Sequence, residues 1–188
     1  GNPGSYGLNF TGRLPAGTIS TDTDLPYGMH AGLVPQTGWR DASPDQVGGY
    51  SWIDHNEVAF CAQSRGATDL GLIQPGTPLP MDGDTRIMHG SMDGDPETRD
   101  VVDLYNIPWT AYDVYIYFDG PVANNRSDYT VTSLTKSATL TGLRDITDWP
   151  VAAGAGSFVP VLTSGAAGNV AIFKNFTGGR LRILGRAG

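Results

Sequence analysis

Tyr112-Asp113-Val114-Tyr115-Ile116-Tyr117-Phe118-Asp119-Gly120 divides by parity into an apolar set (Tyr112, Val114, Ile116, Phe118) and a more polar one (Asp113, Tyr115, Tyr117, Asp119). Period-2 alternation closed by Asp-Gly is the pattern of a half-buried β-strand ending in a tight turn. Working outward, similar short runs recur at residues 6–10, 49–53, 58–63, 85–90, 100–105, 129–134, 138–141, 158–162, 169–173 and 180–184. Gly, Pro, Asn and Asp punctuate them, and no long 3.6-residue period intervenes. The chain therefore reads as all-β: a single β-sandwich, jelly-roll-like, with long Gly/Pro/Asp-rich loops.

With 188 residues the chain fills one core comfortably and two poorly, so residues 1–188 are read as one domain. Gly (26) and Pro (13) make up about a fifth of it, scattered as turns rather than gathered as a linker. The 19 acidic residues are 17 Asp and 2 Glu, and the 12 basic ones are 10 Arg and 2 Lys. Asp favours turns whereas Glu and Lys favour helices, so the bias suits strands joined by Asp-rich loops. A formal net charge of −7 speaks against nucleic acid or an anionic membrane as partner. No run reaches the ~18 apolar residues of a membrane-spanning helix. Cys61 is the only cysteine and sits in the apolar run Val58-Ala59-Phe60-Cys61-Ala62, where a thiol acts as a small buried hydrophobe. An opening Gly1 without Met or leader fits an exported chain after processing.

The order Gly7-Leu8-Asn9-Phe10, Ala31-Gly32-Leu33-Val34-Pro35-Gln36 followed by Trp39, Arg86-Ile87-Met88-His89-Gly90-Ser91-Met92-Asp93, the stretch from Tyr112 to Gly120, and residues 169–178 resembles a secreted β-sandwich domain of extracellular proteins of planctomycetes and verrucomicrobia. In that family the corresponding pieces look like INF, AGVVPQ..W, LM.GYLD, YDVYVYFDG and F.NLTG. The resemblance covers nearly the whole chain and implies a jelly-roll-like fold and export, with no enzyme activity assigned to the family, so it leaves function open. Two departures stand out. Gly90-Ser91-Met92-Asp93 replaces the family's Gly-Tyr-Leu-Asp, and the chain ends at Gly185-Arg186-Ala187-Gly188 where the family pattern continues into another strand.

Asp82, Asp84, Asp93, Asp95 and Glu97 crowd a loop-rich zone with Asp100 and Asp103, and clustered loop carboxylates are what Ca²⁺ requires. They are the candidate metal ligands, although Thr98 and Leu104 stand where an EF-hand loop would have its Gly and its last acidic ligand. His30, His55 and His89 lack the close spacing of a transition-metal site. No nucleophile elbow is present, and sequence spacing does not show whether Asp113, Asp119 and Glu57 could pair as glycosidase carboxylates. Tyr115, Tyr117 and Trp109 are the candidate carbohydrate-stacking residues. Asn9, Asn125 and Asn175 head Asn-x-Ser/Thr triplets.

The chain is accordingly expected to be a non-enzymatic extracellular structural protein, exported with its leader removed. Its expected partners are copies of itself, joined into a surface filament or sheath by strand pairing. A sandwich short of its last strand would expose unpaired backbone and an apolar slot, with residues 1–7 as a donor arm for the neighbour. The alternative is a carbohydrate-binding module that recognises a polysaccharide through exposed aromatics.

Overall fold

The computed structural model describes residues 5–10, 25, 28–37, 39–42, 48–53, 59–65, 82–89, 100–118, 123–146 and 158–188, with backbone alone for 9–10, 40–42, 48–53, 59–65, 85 and 89. In chain order the elements are β1 (Leu8–Phe10), β2 (Arg40–Ala42), β3 (Gly48–Ile53), β4 (Ala59–Arg65), α1 (Gly83–His89), β5 (Asp100–Tyr105), β6 (Tyr112–Tyr117), β7 (Arg126–Ser133), β8 (Ser137–Arg144), β9 (Pro160–Val161), β10 (Val170–Phe176) and β11 (Arg180–Ala187). The protein is an all-β sandwich. One sheet has six strands in the order β3-β4-β5-β11-β7-β8, and the other has three, β6-β10-β9. β1 and β2 form a separate parallel pair. No helix among the described residues is long and apolar enough to cross a membrane.

Between the two sheets lies the main core. The six-stranded sheet contributes Val131, Leu140, Leu143 and Leu181, and the three-stranded sheet contributes Val114, Phe118, Val161, Ala171, Phe173 and Phe176. The parity read from residues 112–118 holds: Val114 and Phe118 are buried, and Tyr112 and Ile116 pack against the same cluster. The other face of β6 is also covered. Leu25, Ala31, Ile87, Met88, Phe158 and Val170 form a second cluster, against which Tyr115, Tyr117 and Ile172 pack. The three-stranded sheet is thus apolar on both faces, and Tyr115 and Tyr117 meet a cap that includes Leu25, Met29, Ala31, Leu33, Trp39 and the Ile87 and Met88 side chains of α1.

Two expectations are corrected. Residues 85–90, expected as a strand, begin inside α1 instead. Ile87 and Met88 are both buried although adjacent, which a period-2 strand on one core cannot do and a helical turn can. Asp82 precedes the helix at its N-cap position, and its carbonyl accepts the Arg86 N–H. β11, after which the resembled pattern continues into another strand, is itself paired on both sides, antiparallel to β5 and to β7 within the six-stranded sheet. Tyr6 and Gly7, expected in a free donor arm, dock on the chain's own surface. Tyr6 lies 4.8 Å from Trp109 between ring centroids, and buried Gly7 abuts Trp39.

Two bulges interrupt the alternation, and both are built the same way. In β10, Lys174 and Asn175 oppose the single residue Asp113, since Phe173 pairs with Val114 and Phe176 with Tyr112. In β8, Thr141 and Gly142 oppose the single residue Asp128, since Leu140 pairs with Tyr129 and Leu143 with Ser127. The second bulge residue adopts a left-handed backbone in each, φ 59° at Asn175 and 61° at Gly142, which Asn and Gly tolerate best. Its N–H donates to the opposing carboxylate, at 2.8 Å on Asp113 Oδ1 and 2.6 Å on Asp128 Oδ1. The other carboxylate oxygen takes a cation, Lys174 Nζ at 2.8 Å and Arg186 Nη2 at 3.0 Å.

Each clamp turns the next side chain inward, Phe176 and Leu143 being 0 % exposed. The cations are about half exposed and contribute little, so the charged acceptor of the bulge N–H supplies most of the stabilisation. Asp128→Ala is expected to lower stability by about 1–2 kcal/mol, with Asp128→Asn, which keeps an acceptor oxygen, between it and wild type. A urea midpoint for Asp128→Ala equal to wild type would discard the clamp. At Asp113 burial raises the pKa, but the bonds from Lys174 and Asn175 outweigh it and the net shift is downward. Its contribution is therefore complete above the ordinary carboxylate value near ~4 and is lost as pH falls below that.

Candidate functional site

The proposed sugar-stacking residues do not come together on one open face. Trp109 is half-buried against Tyr6. Tyr117 is held edge-on between Phe158 (centroids 5.2 Å apart) and Trp39 (6.0 Å). Tyr115 lies beneath Lys174, whose Nζ sits 5.4 Å from the ring centroid and donates to the phenol oxygen at 3.4 Å.

The cap over Tyr117 is tied down by polar contacts. Ala31 and Gln36 exchange backbone hydrogen bonds of 3.1 and 3.2 Å, closing a tight turn. Within it the Gly32 N–H donates to Asp84 Oδ1 and the Leu33 N–H to the Tyr117 hydroxyl, both at 2.8 Å. Gly32 has φ +101° and lies where a Cβ would strike that hydroxyl, so the position requires glycine. Trp39 Nε1 donates to the carbonyls of Ala31 and Gln36.

Burial pushes the Tyr117 hydroxyl up to about 12, with Asp84 adding to the rise against the opposing Leu33 N–H. Tyr129, whose ring faces the main core, is raised to about 12 by burial, with Asp100 and Asp145 contributing. In the unfolded chain both ionise near ~10. Their contribution to stability is therefore whole below pH ~10 and drains away as pH rises through about 12, on the order of 2 kcal/mol for each. Ultraviolet difference titration should show at least two of the eight tyrosines ionising late, with the denaturant midpoint falling over the same window. Eight tyrosines titrating together near the ordinary value would refute the buried placement.

Of the candidate Ca²⁺ ligands, Asp82 is exposed ahead of α1 and Asp84 is engaged by Gly32. Asp93, Asp95 and Glu97 lie outside the described residues, as do Asp119 and Glu57. Among the described residues no three His, Cys, Asp or Glu side chains converge as a metal site. Asn125 and Asn175 of the Asn-x-Ser/Thr triplets are exposed, the first before β7 and the second in the β10 bulge.

Two surfaces among the described residues are suited to a partner. The first is the outer edge of β6. Phe118 N–H donates to Asn169 C=O, and the antiparallel register continues with Ile116 opposite Ala171 and Val114 opposite Phe173. Alternation then aims the backbone N–H and C=O of Asp113, Tyr115 and Tyr117 away from β10. By contrast, the corresponding edge of β8 is partly occupied. Gly165 N–H donates to Thr141 C=O, Thr141 N–H to Ser164 Oγ, Arg144 N–H to Ala166 C=O, and Gly168 N–H to Arg144 C=O.

The second surface is the outer face of the six-stranded sheet, where β11 turns Arg180, Arg182, Leu184 and Arg186 outward as their alternation with Leu181 and Ile183 predicts. Arg182 grips the buried Asp103 through two bonds of 2.6 and 2.8 Å, and Arg180 lies 5.6 Å above the Tyr105 ring. Neither surface was legible in the sequence: strand order decides which strand is an edge, and register decides which outward side chains are neighbours. Compared with models of protein families, with curated proteins and with solved structures, the chain matches none.

Proposed function

We propose that the chain is a non-enzymatic structural protein of the extracellular space or cell surface, which assembles by pairing the outer edge of β6, open among the described residues, with an edge strand of another copy. The observation that carries this is the character of β6. It is a six-residue strand, Tyr-Asp-Val-Tyr-Ile-Tyr, ending its sheet with no Pro, no Lys and no bulge of its own. Edges of monomeric proteins are commonly blunted by one of those devices, and an unblunted edge of high β-propensity is a template for strand addition. The extracellular placement rests on the resemblance of the motif order at Gly7–Phe10, Ala31–Trp39 and Tyr112–Gly120 to that of secreted β-sandwich domains.

The acceptor is taken to be β3, which ends the six-stranded sheet. Pairing of two unlike edges is head-to-tail and propagates into a filament, whereas β6 paired with β6 would close as a dimer. Light scattering and negative-stain imaging of the full chain test the reading. Particles that lengthen with concentration are expected. Tyr115→Pro removes an N–H that points away from β10, so the subunit should fold, by circular dichroism, yet stay monomeric. A wild-type protein that remains monomer or dimer at every concentration, or a Tyr115→Pro variant that still polymerises, would reject it.

A further inference from the structure

We propose that the outer face of the six-stranded sheet carries a binding site for a neutral saccharide, centred on Asp128, Thr130, Thr139, Thr141, Leu184 and Arg186. These residues, with the backbone at Gly185, line a depression of about 170 Å³ on the side of the sheet away from the main core. Register brings them together: Leu184 lies opposite Thr130, Thr130 opposite Thr139, and Arg186 opposite Asp128. The site is independent of the β6 edge, which belongs to the other sheet.

Its chemistry fits a sugar ring. Thr130 and Thr139 join their hydroxyls at 3.0 Å, and Thr132 and Ser137 repeat the pairing one step along the strands. One proton bridges each pair, leaving the second proton and further lone pairs free to donate to or accept from a ligand hydroxyl. Asp128 and Arg186 form a fixed acceptor–donor couple, held by the Gly142 N–H on one oxygen and the guanidinium on the other. The carboxylate keeps lone pairs and the guanidinium keeps N–H groups, so one ligand hydroxyl can donate to the first while its neighbour accepts from the second. That complementarity suits a vicinal diol. Leu184 supplies an apolar floor for the C–H face of a ring.

Charge selects a neutral ligand over an anionic one. Arg186 is neutralised by Asp128, and the next outward arginine on β11, Arg182, by Asp103. The site therefore offers no surplus positive charge, on a chain of formal net charge −7. Directional hydrogen bonds to hydroxyls, rather than a Coulombic field, would supply the recognition, and binding should be nearly independent of salt.

The test is retention of the full-length protein on insoluble cellulose, starch, xylan, chitin and β-1,3-glucan, with heparin and alginate as anionic comparators, at low and high salt. Retention on at least one neutral polymer is expected, unchanged by salt. Affinity should fall at least tenfold in Arg186→Gln and in Thr139→Val. The second change favours strand structure at an exposed position, so it keeps the fold even if loss of Arg186 loosens the clamp. Melting curves alongside separate lost binding from lost folding. No retention on any neutral polymer, retention only on the anionic ones with loss in salt, or affinity unchanged in a folded Thr139→Val would each overturn the proposal.

Discussion

Val114→Asp is expected to abolish folding. Val114 is 8 % exposed, opposite Phe173 in the β6–β10 ladder, and belongs to a core cluster with Leu140, Leu143 and Phe176. A carboxylate there loses its water and gains no partner among those neighbours. Such a burial costs roughly 4–5 kcal/mol or more, close to the ~5–15 kcal/mol that holds a domain together. The control is Thr132→Asp, on the exposed outer face of β7, where a surface change should stay near ±0.5 kcal/mol. Circular dichroism and urea denaturation of the two variants read the contrast directly. If Val114→Asp melts with the wild type, Val114 is not buried between the two sheets, and the main core does not pack as these contacts require.

The same stretch shows how far the sequence could be read. Parity assigned Val114 and Phe118 inward because a strand has only two sides and one carried the aliphatic residues. It could not say that the opposite side is covered as well, since the cover over Tyr115 and Tyr117 comes largely from Leu25, Ala31, Leu33, Trp39 and α1, far back in the chain. Tyrosine suits either outcome, because its ring packs while its hydroxyl seeks a partner, here the Leu33 N–H. The helix at Gly83–His89 escapes the pattern for a related reason: seven residues fall just short of two turns, and Thr85 and Ile87 favour a strand, although the adjacent apolar pair Ile87-Met88 breaks the alternation.

The position of β11 was beyond local reading. Its Arg-aliphatic alternation identifies a strand with one exposed face, but its place between β5 and β7 depends on distant pairings such as Gly185 opposite Asp100 and Leu184 opposite Val101. The bulges did leave a signal. Leu140 and Leu143, like Phe173 and Phe176, are apolar residues three apart within otherwise alternating strands, with Gly142 and Asn175 between them. A spacing of three in a two-residue period, with a residue that tolerates the left-handed region in the gap, marks an inserted residue. What the sequence could not supply was the opposing aspartate in each case.

Phe176 shows what that insertion achieves, and Phe176→Ala should cost about 3–5 kcal/mol, the range for truncating a buried aromatic without collapse of the cavity. The side chain is 0 % exposed and packs in the cluster that includes Val114, Phe173 and Leu181. Were Lys174 and Asn175 paired in regular alternation rather than as a bulge, Phe176, three residues after Phe173, would point to the opposite face. Asp113 holds the left-handed Asn175 that makes the switch. Phe176→Ala and Asp113→Ala thus act on the same contact, one by removing the ring and the other by loosening its aim. In the double variant the second loss should be largely absorbed by the first, a coupling of about 0.5–1 kcal/mol or more. Strictly additive urea-denaturation losses would show that Asp113 does not position Phe176, and a loss below ~1 kcal/mol for Phe176→Ala alone would contradict its place in a closely packed core.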